Sequence, residues 1–74
     1  MEALDRISVD PAVMGGRPCV KGTRVTVATL VGLLATGASE ERLLKLYPYV
    51  TIDDVRQCLA YAALRVGEHE IVVS

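Results

Sequence analysis

Three cations are set in a glycine-rich segment in the first third of the chain. The segment runs from Gly15 to Val25 and contains three glycines, one proline and no acidic residue. Glycine admits positive φ and proline holds φ near about −65°, so this composition favours a loop of defined shape. The cations are Arg17, Lys21 and Arg24. Because such groups bind phosphates and carboxylates, we expect the loop to contact either nucleic acid or an acidic protein partner.

A nucleotide phosphate loop is excluded by the order of the residues. That loop reads glycine, four residues, then glycine-lysine-serine or threonine, and it opens a helix. Here Lys21 precedes Gly22, and the segment Thr23–Val27 alternates as a strand does. The alternative to an anion-binding role is a solvated turn whose cations keep a small protein soluble.

No set of residues predicts catalysis. The only histidine, His69, lies between two glutamates near the C-terminal end of the sequence. Nucleophilic catalysis needs a base that a third group orients beside a serine or cysteine, and a histidine in such a tail is a poor candidate for that base. Asp53 and Asp54 are adjacent, but they fall in the first turn of a predicted helix, where capping and the helix dipole account for both. We therefore expect a protein that is not an enzyme and that needs no cofactor and no metal.

Length and composition predict one domain, residues 1–74, that associates with a second copy. Of the 74 residues, 51% are apolar, and neither Trp nor Phe is present. A domain of this size buries only about 60% of its unfolded surface, so the surplus of apolar residues predicts a partner, most simply a homodimer. The formal net charge is −1. Any DNA binding must therefore depend on a local patch, or on two patches that a dimer brings together.

The cysteines and the N-terminus indicate the compartment. Cys19 and Cys58 are too few for a zinc motif, and they fit two buried thiols in a reducing cytoplasm. A disulfide between them requires Cα atoms within about 7 Å of each other. The N-terminus lacks the pattern of a signal peptide, and no apolar run is long enough for a membrane span. We expect a cytoplasmic protein with no membrane contact.

A short β-ribbon and three helices are predicted to position the loop, which makes the chain mainly α-helical. Within residues 1–26, Ile7–Val9 and Thr23–Val27 alternate in polarity and flank the loop, so we expect them to pair. Residues 27–66 show helical periodicity, with stops at Gly37 and Pro48. Residues 67–74 form a tail in which Ile71–Val73 is prone to a β conformation.

The helices carry recognisable capping residues. Ser39 is predicted to cap the second helix, and Thr51 with Asp54 has the form of a capping box at the start of the third. The apolar stripe predicted for the third helix consists of Ile52, Val55, Leu59, Ala62, Ala63 and Val66. This stripe, turned inward, would point Asp54, Gln57, Tyr61 and Leu64 outward.

The second and third helices, joined by a short turn, have the layout of a helix-turn-helix unit. In such a unit the start of the second helix faces the bases, so Arg56 and Gln57 are candidate contacts for nucleic acid or an acidic partner. The two aspartates at that point would repel phosphates. Outward Tyr61 and Leu64 fit a protein partner better, and so do Ile71, Val72 and Val73.

The sequence resembles the family called domain of unknown function 433 over about residues 6–63. The resemblance rests on Ile7–Pro11, Met14–Val25, Gly37–Glu41, Tyr47–Pro48, Thr51–Val55 and Ala60–Ala62. It implies a homeodomain-like or winged-helix-like bundle. It also implies kinship with antitoxins that bind a PIN-type ribonuclease toxin and, as dimers, the operator DNA of their own operon. The family supplies no catalytic residues.

Two functions follow from these observations. The first is an antitoxin-like helix-turn-helix protein that binds a PIN-domain toxin and operator DNA. The second is a protein-interaction module that does not bind DNA and whose cationic loop contacts an acidic partner.

Overall fold

The chain folds into a short N-terminal sheet followed by three helices, as a computed structural model shows for residues 4–67. Strand β1 is Ile7–Ser8 and strand β2 is Cys19–Val20, and a 3-10 turn at Met14–Gly16 lies between them. The helices are α1 (Val27–Ala35), α2 (Glu40–Leu46) and α3 (Ile52–Val66). The predicted mainly helical class with a small N-terminal β element is confirmed. The segment Ile71–Val73, predicted to be prone to a β conformation and to contact a partner, lies outside the described residues.

The pairing predicted for the ribbon is wrong. Strand β1 pairs antiparallel with β2, with Ile7 opposite Val20, and not with Thr23–Val27. The latter segment instead lies on the other side of β2, where the Val20 N–H donates to the Val25 carbonyl at 2.9 Å. Gly22, with φ of 78°, allows the chain to reverse inside the glycine-rich segment. The loop therefore contains its own strand, β2, whose two residues are fully buried.

Each helix begins at a side-chain cap. Ser39 accepts a hydrogen bond from the Arg42 N–H at 3.1 Å, as the sequence predicts for α2. At α3, the Thr51 hydroxyl accepts from the Asp54 N–H at 3.2 Å, and the Asp54 carboxylate accepts from the Thr51 N–H at 2.9 Å. This is the predicted capping box. Thr26 caps α1 in the same way as Ser39 caps α2.

The hydrophobic core lies where the three helices meet the sheet. Leu30 of α1, Leu43 of α2 and Val55 of α3 are fully buried together with Val20 of β2. Burial of an aliphatic side chain of this kind contributes about 1.5–3 kcal/mol. A core this small therefore leaves the fold dependent on its polar contacts as well.

The orientation predicted for α3 is wrong by a rotation of the helix. The buried residues are Asp54, Val55 and Cys58, whereas Leu59 and Val66 from the predicted inward stripe are 40% and 61% exposed. Asp54, expected to face outward, is inaccessible to solvent. Hydrophobic periodicity does not reveal this orientation, because an ion-paired aspartate and a cysteine occupy two of the inward positions.

Asp54 joins the N-terminal segment to α3. Its carboxylate accepts a hydrogen bond from Arg6 Nε at 2.7 Å, and this contact is also an ion pair. One turn further along α3, Gln57 Oε1 accepts from the Arg6 backbone N–H at 2.8 Å. Gln57 Nε2 donates to Asp5 Oδ1 at 3.0 Å. These contacts hold strand β1, and through it the glycine-rich loop, against α3.

Replacement of Asp54 by alanine should lower the free energy of unfolding by about 2–3 kcal/mol, because it removes both a helix cap and the buried partner of Arg6. Asp53→Ala is the matched control. Asp53 is exposed in the same helical turn, so its removal should cost under about 1 kcal/mol through the helix dipole alone. Urea unfolding followed by circular dichroism compares the two variants. Equal losses would contradict a special role for the Asp54 contacts.

Stability should also fall in acid. Burial acts to raise the pKa of the Asp54 carboxyl, but the Arg6 and Thr51 hydrogen bonds and the Arg6 charge outweigh it and lower that pKa below 3.8. The ionised carboxylate thus stabilises the fold fully above the pKa of the unfolded state, and the stabilisation is lost as the pH falls through the folded-state pKa. Between about pH 5 and pH 2, Asp54→Asn should lose less unfolding free energy than the unmodified chain. Parallel pH profiles for the two proteins would contradict this assignment.

Candidate functional site

The tight turn that follows β2 presents two of the predicted cations. The Thr23 hydroxyl donates to the Val20 carbonyl at 2.8 Å and accepts from the Val25 N–H at 3.0 Å, so this side chain closes the turn. The Lys21 N–H donates to the Arg6 carbonyl at 2.7 Å and ties the turn to the residue before β1. Lys21 and Arg24 are exposed at the tip. Their backbone is thus fixed while their charged groups remain in solvent.

The turn faces the connection between α2 and α3 across an open depression. Lys21, Gly22, Thr23 and Arg24 line one part of it, and Tyr49 lines another. The remaining lining residues are Ser8, Asp10 and Val13. We call this depression the cationic surface. Residues of the glycine-rich loop and of the turn between α2 and α3, which are distant in sequence, line this surface together.

Tyr49 adds an aromatic group to the cationic surface. Its side chain is 61% exposed, and its ring meets the ring of Tyr47 edge-on, with centroids 6.5 Å apart and an interplanar angle of 79°. An edge-on contact of this kind fixes the direction of a ring without covering both its faces. Tyr49 is the residue of this surface that sequence reasoning missed. The signal available was an aromatic residue directly after Pro48, in a turn where no core position is predicted.

One carboxylate lies among the cations. Asp10 lines the same depression, and its Oδ1 accepts a hydrogen bond from the Ala12 N–H at 2.9 Å. The cationic surface therefore combines two positive groups, one negative group, one exposed ring and a threonine. Such a set can bind a phosphate or a carboxylate and place an aromatic face beside it.

Not all the predicted contact residues converge on this surface. Arg17 is exposed on the loop beyond the Met14–Gly16 turn and does not line the depression. Arg56 is exposed on α3 and lines a separate depression with Asp53 and Gln57. The amide of Gln57 already binds Arg6 and Asp5, so any contact of that amide with a ligand would have to displace these bonds.

The residues predicted to contact a partner differ in their exposure. Leu64 is 45% exposed on α3, as expected for an interface residue. Tyr61 is half-buried and packs against the core, which was not expected of an outward residue. Ile71, Val72 and Val73 lie outside the described residues.

The cysteines are buried as free thiols. Neither Cys19 nor Cys58 is in a disulfide, so the alternative of a bridge between them is not realised. Burial, with a smaller contribution from the Asp54 charge, raises the pKa of Cys58 to about 11. A thiol with this pKa stays protonated near neutral pH and is a poor nucleophile.

Among residues 4–67, no three His, Cys, Asp or Glu side chains come together as a metal site would require. No helix within those residues combines the length and the apolar character needed to cross a bilayer.

Comparison with known proteins identifies relatives of this fold. A crystal structure of a DUF433 member protein from Anabaena variabilis ATCC 29413 superimposes with a TM-score of 0.75 at 32% identity, over 89% of this chain and 63% of that one. Uncharacterized protein y4eO of Sinorhizobium fredii is 35% identical over 60 residues, which are 81% of this chain and 27% of that protein. The chain thus spans about a quarter of one relative and under two thirds of the other.

The family itself follows from a match across the sheet and all three helices. The family model described as "Protein of unknown function (DUF433)" matches residues 7–62, from the first residue of β1 to well within α3. The matched segment contains every residue of the cationic surface. The chain belongs to the DUF433 family.

Proposed function

We propose that this protein is an antitoxin-like helix-turn-helix regulator that binds operator DNA through the cationic surface and a PIN-type ribonuclease toxin through other residues. It acts as a homodimer in the cytoplasm and carries out no catalysis. The observation that supports DNA binding most directly is the position of Lys21 and Arg24 beside Tyr49, which precedes α3.

This position suits contact with a nucleic acid backbone. In helix-turn-helix complexes the start of the second helix enters the major groove, and flanking groups bind the phosphates on either side. With α2 and α3 as the unit, Lys21 and Arg24 are such flanking groups. Tyr49 would lie beside the sugar-phosphate backbone, where its hydroxyl can donate to a phosphate oxygen.

The burial and pairing of Asp54 reduce the repulsion of phosphates that the sequence predicts at the start of α3. Two aspartates at the start of α3 would repel phosphates, but the Asp54 carboxylate is buried and paired with Arg6. Asp53 is the exposed acidic residue of that turn, and Arg56 lines the same depression as Asp53. The exposed start of α3 is therefore closer to neutral than its sequence indicates.

Dimerisation would double the number of phosphate contacts that the cationic surface can make. The net charge of the whole chain is −1, and the cationic surface includes Asp10. Two copies would bring two such surfaces to successive half-sites on the same duplex, and their phosphate contacts would add.

A protein-interaction role without DNA binding is the second candidate. It is favoured by three apolar side chains that α3 leaves exposed, Leu59, Leu64 and Val66. Leu59 and Val66 are seven residues apart and share one face of the helix, so together they form an exposed apolar face that a partner can cover. In this alternative the cationic surface contacts carboxylates of an acidic partner.

The double substitution Lys21→Ala with Arg24→Ala should weaken binding to the DNA upstream of the protein's own gene at least about tenfold near 100 mM salt. Removal of two phosphate contacts per copy should also reduce the slope of log affinity against log salt by about two for each bound copy. Fluorescence anisotropy over a salt series measures both quantities. Arg42→Ala with Lys45→Ala is the matched control, since it removes the same charge from α2 outside the cationic surface.

Two results would contradict operator binding through the cationic surface. One is the absence of any salt-sensitive association of the unmodified protein at micromolar concentration. The other is an equal loss of affinity in both double variants, which would reflect net charge and not the cationic surface. If only a complex with a co-expressed acidic protein weakens in the Lys21/Arg24 variant, the interaction-module function is supported instead.

The substitution Gln57→Ala tests whether the Gln57 amide stabilises the fold or contacts DNA. Its bonds to Arg6 and Asp5 predict a loss of about 1 kcal/mol in the free energy of unfolding. DNA affinity, measured where the variant is fully folded, should change by less than about twofold, well under the effect of losing a base contact. A tenfold loss of affinity with unchanged stability would show that Gln57 contacts the DNA.

A further inference from the structure

An apolar groove runs between the start of α1 and the end of α3. Val27, Ala28 and Val31 line it on α1, and Tyr61, Ala62, Arg65 and Val66 line it on α3, with Pro18 at one edge. Arg65 is the only charged residue among these. The groove is separate from the cationic surface, with which it shares no residue.

The helix on one side of the groove has only one polar side chain, the exposed Thr29, to present to solvent. The sequence of α1 is VATLVGLLA, without a single charged residue, yet Ala28 is exposed and Val31 is only half-buried. A helix that is apolar all round is normally covered on all sides. The described residues leave this side of α1 open, so something further is needed to cover it.

The chain leaves α3 at the mouth of this groove. Val66, the last residue of α3, lines the groove, and Gly67 follows it with φ of 100°, which breaks the helical path. The next seven residues are Glu68-His69-Glu70-Ile71-Val72-Val73-Ser74. They combine two acidic residues with three consecutive β-branched apolar residues.

We propose that Ile71, Val72 and Val73 of the same chain occupy the groove between α1 and α3. The distance permits it: four extended residues after Gly67 span about 13 Å. The groove extends from Val66 back to Tyr61, which is about 7.5 Å along a helix. Side chains alternate in an extended segment, so Ile71 and Val73 then cover Ala28 and Val31 and are themselves removed from water.

Charge and connectivity favour this occupant. Glu68 and Glu70 precede the apolar residues and carry the sign complementary to Arg65. A segment attached to the edge of its own groove has an effective concentration in the millimolar range. The same segment of a second copy would be present only at the much lower concentration of free protein, so it would rarely displace the attached segment.

Disulfide trapping in the full chain tests the proposal. Ala28→Cys places a thiol on the groove wall, and Ser74→Cys places one after the apolar residues, which stay intact. The native Cys19 and Cys58 are buried and do not compete in the folded protein. Under mild oxidation the double variant should form an intrachain 28–74 disulfide, identified by mass spectrometry, at a rate independent of protein concentration.

Two matched variants define the background. Glu41→Cys with Ser74→Cys places the first thiol at an exposed position on α2 and should cross-link at least tenfold more slowly. Ile71→Asp added to the 28/74 pair should reduce the rate to that background, because a carboxylate would then enter an apolar groove. Loss of the rate difference between the 28/74 and 41/74 pairs would overturn the proposal. A product that is mainly a covalent dimer would also overturn it and assign the groove to a second copy.

Discussion

The fold depends on one buried carboxylate. Asp54 closes the capping box that begins α3 and, with its other oxygen, binds Arg6 in the segment before β1. A buried charge without partners would cost several kcal/mol, so each of these contacts supports the others. Strand β1, the loop that follows it and the start of α3 thus form one unit. This unit also positions the cationic surface, because the Lys21 N–H donates a hydrogen bond to the Arg6 carbonyl.

Local signals in the sequence predict the local structure well. The caps at Ser39 and Thr51, the stop before Pro48 and the end of α3 at Gly67 all agree with the structure, because each depends on residues within one turn of the chain. What depended on distant contacts was not predictable in this way. The rotation of α3 follows from Arg6, 48 residues away, and the order of the strands follows from a reversal inside the loop.

In the candidate site, too, the residue types were predictable from the sequence and their arrangement in space was not. The cations at Lys21 and Arg24 were predicted from their types and spacing, and both line the cationic surface. Tyr49 was not predicted, since no sequence pattern brings the turn after α2 next to the turn after β2. Arg17 belongs to the same run of cations in sequence but lies apart from them in space. Proximity in the chain is therefore a poor guide to which charges act together in this fold.

The long separation between Arg6 and Asp54 has a consequence for how the chain folds. Closing a loop of 48 residues is entropically costly, and the contact is rewarded only once α3 exists to present its carboxylate. We therefore expect the N-terminal segment, although it is made first during synthesis, to bind α3 late in folding. The packing of α1 on α3 is the most extensive contact among the helices, and it spans a shorter stretch of chain than the contact between Arg6 and Asp54. Local hydrogen bonds of Thr23 and Val20 already close the turn, so the late contact would fix the position of the cationic surface against α3 and not its shape.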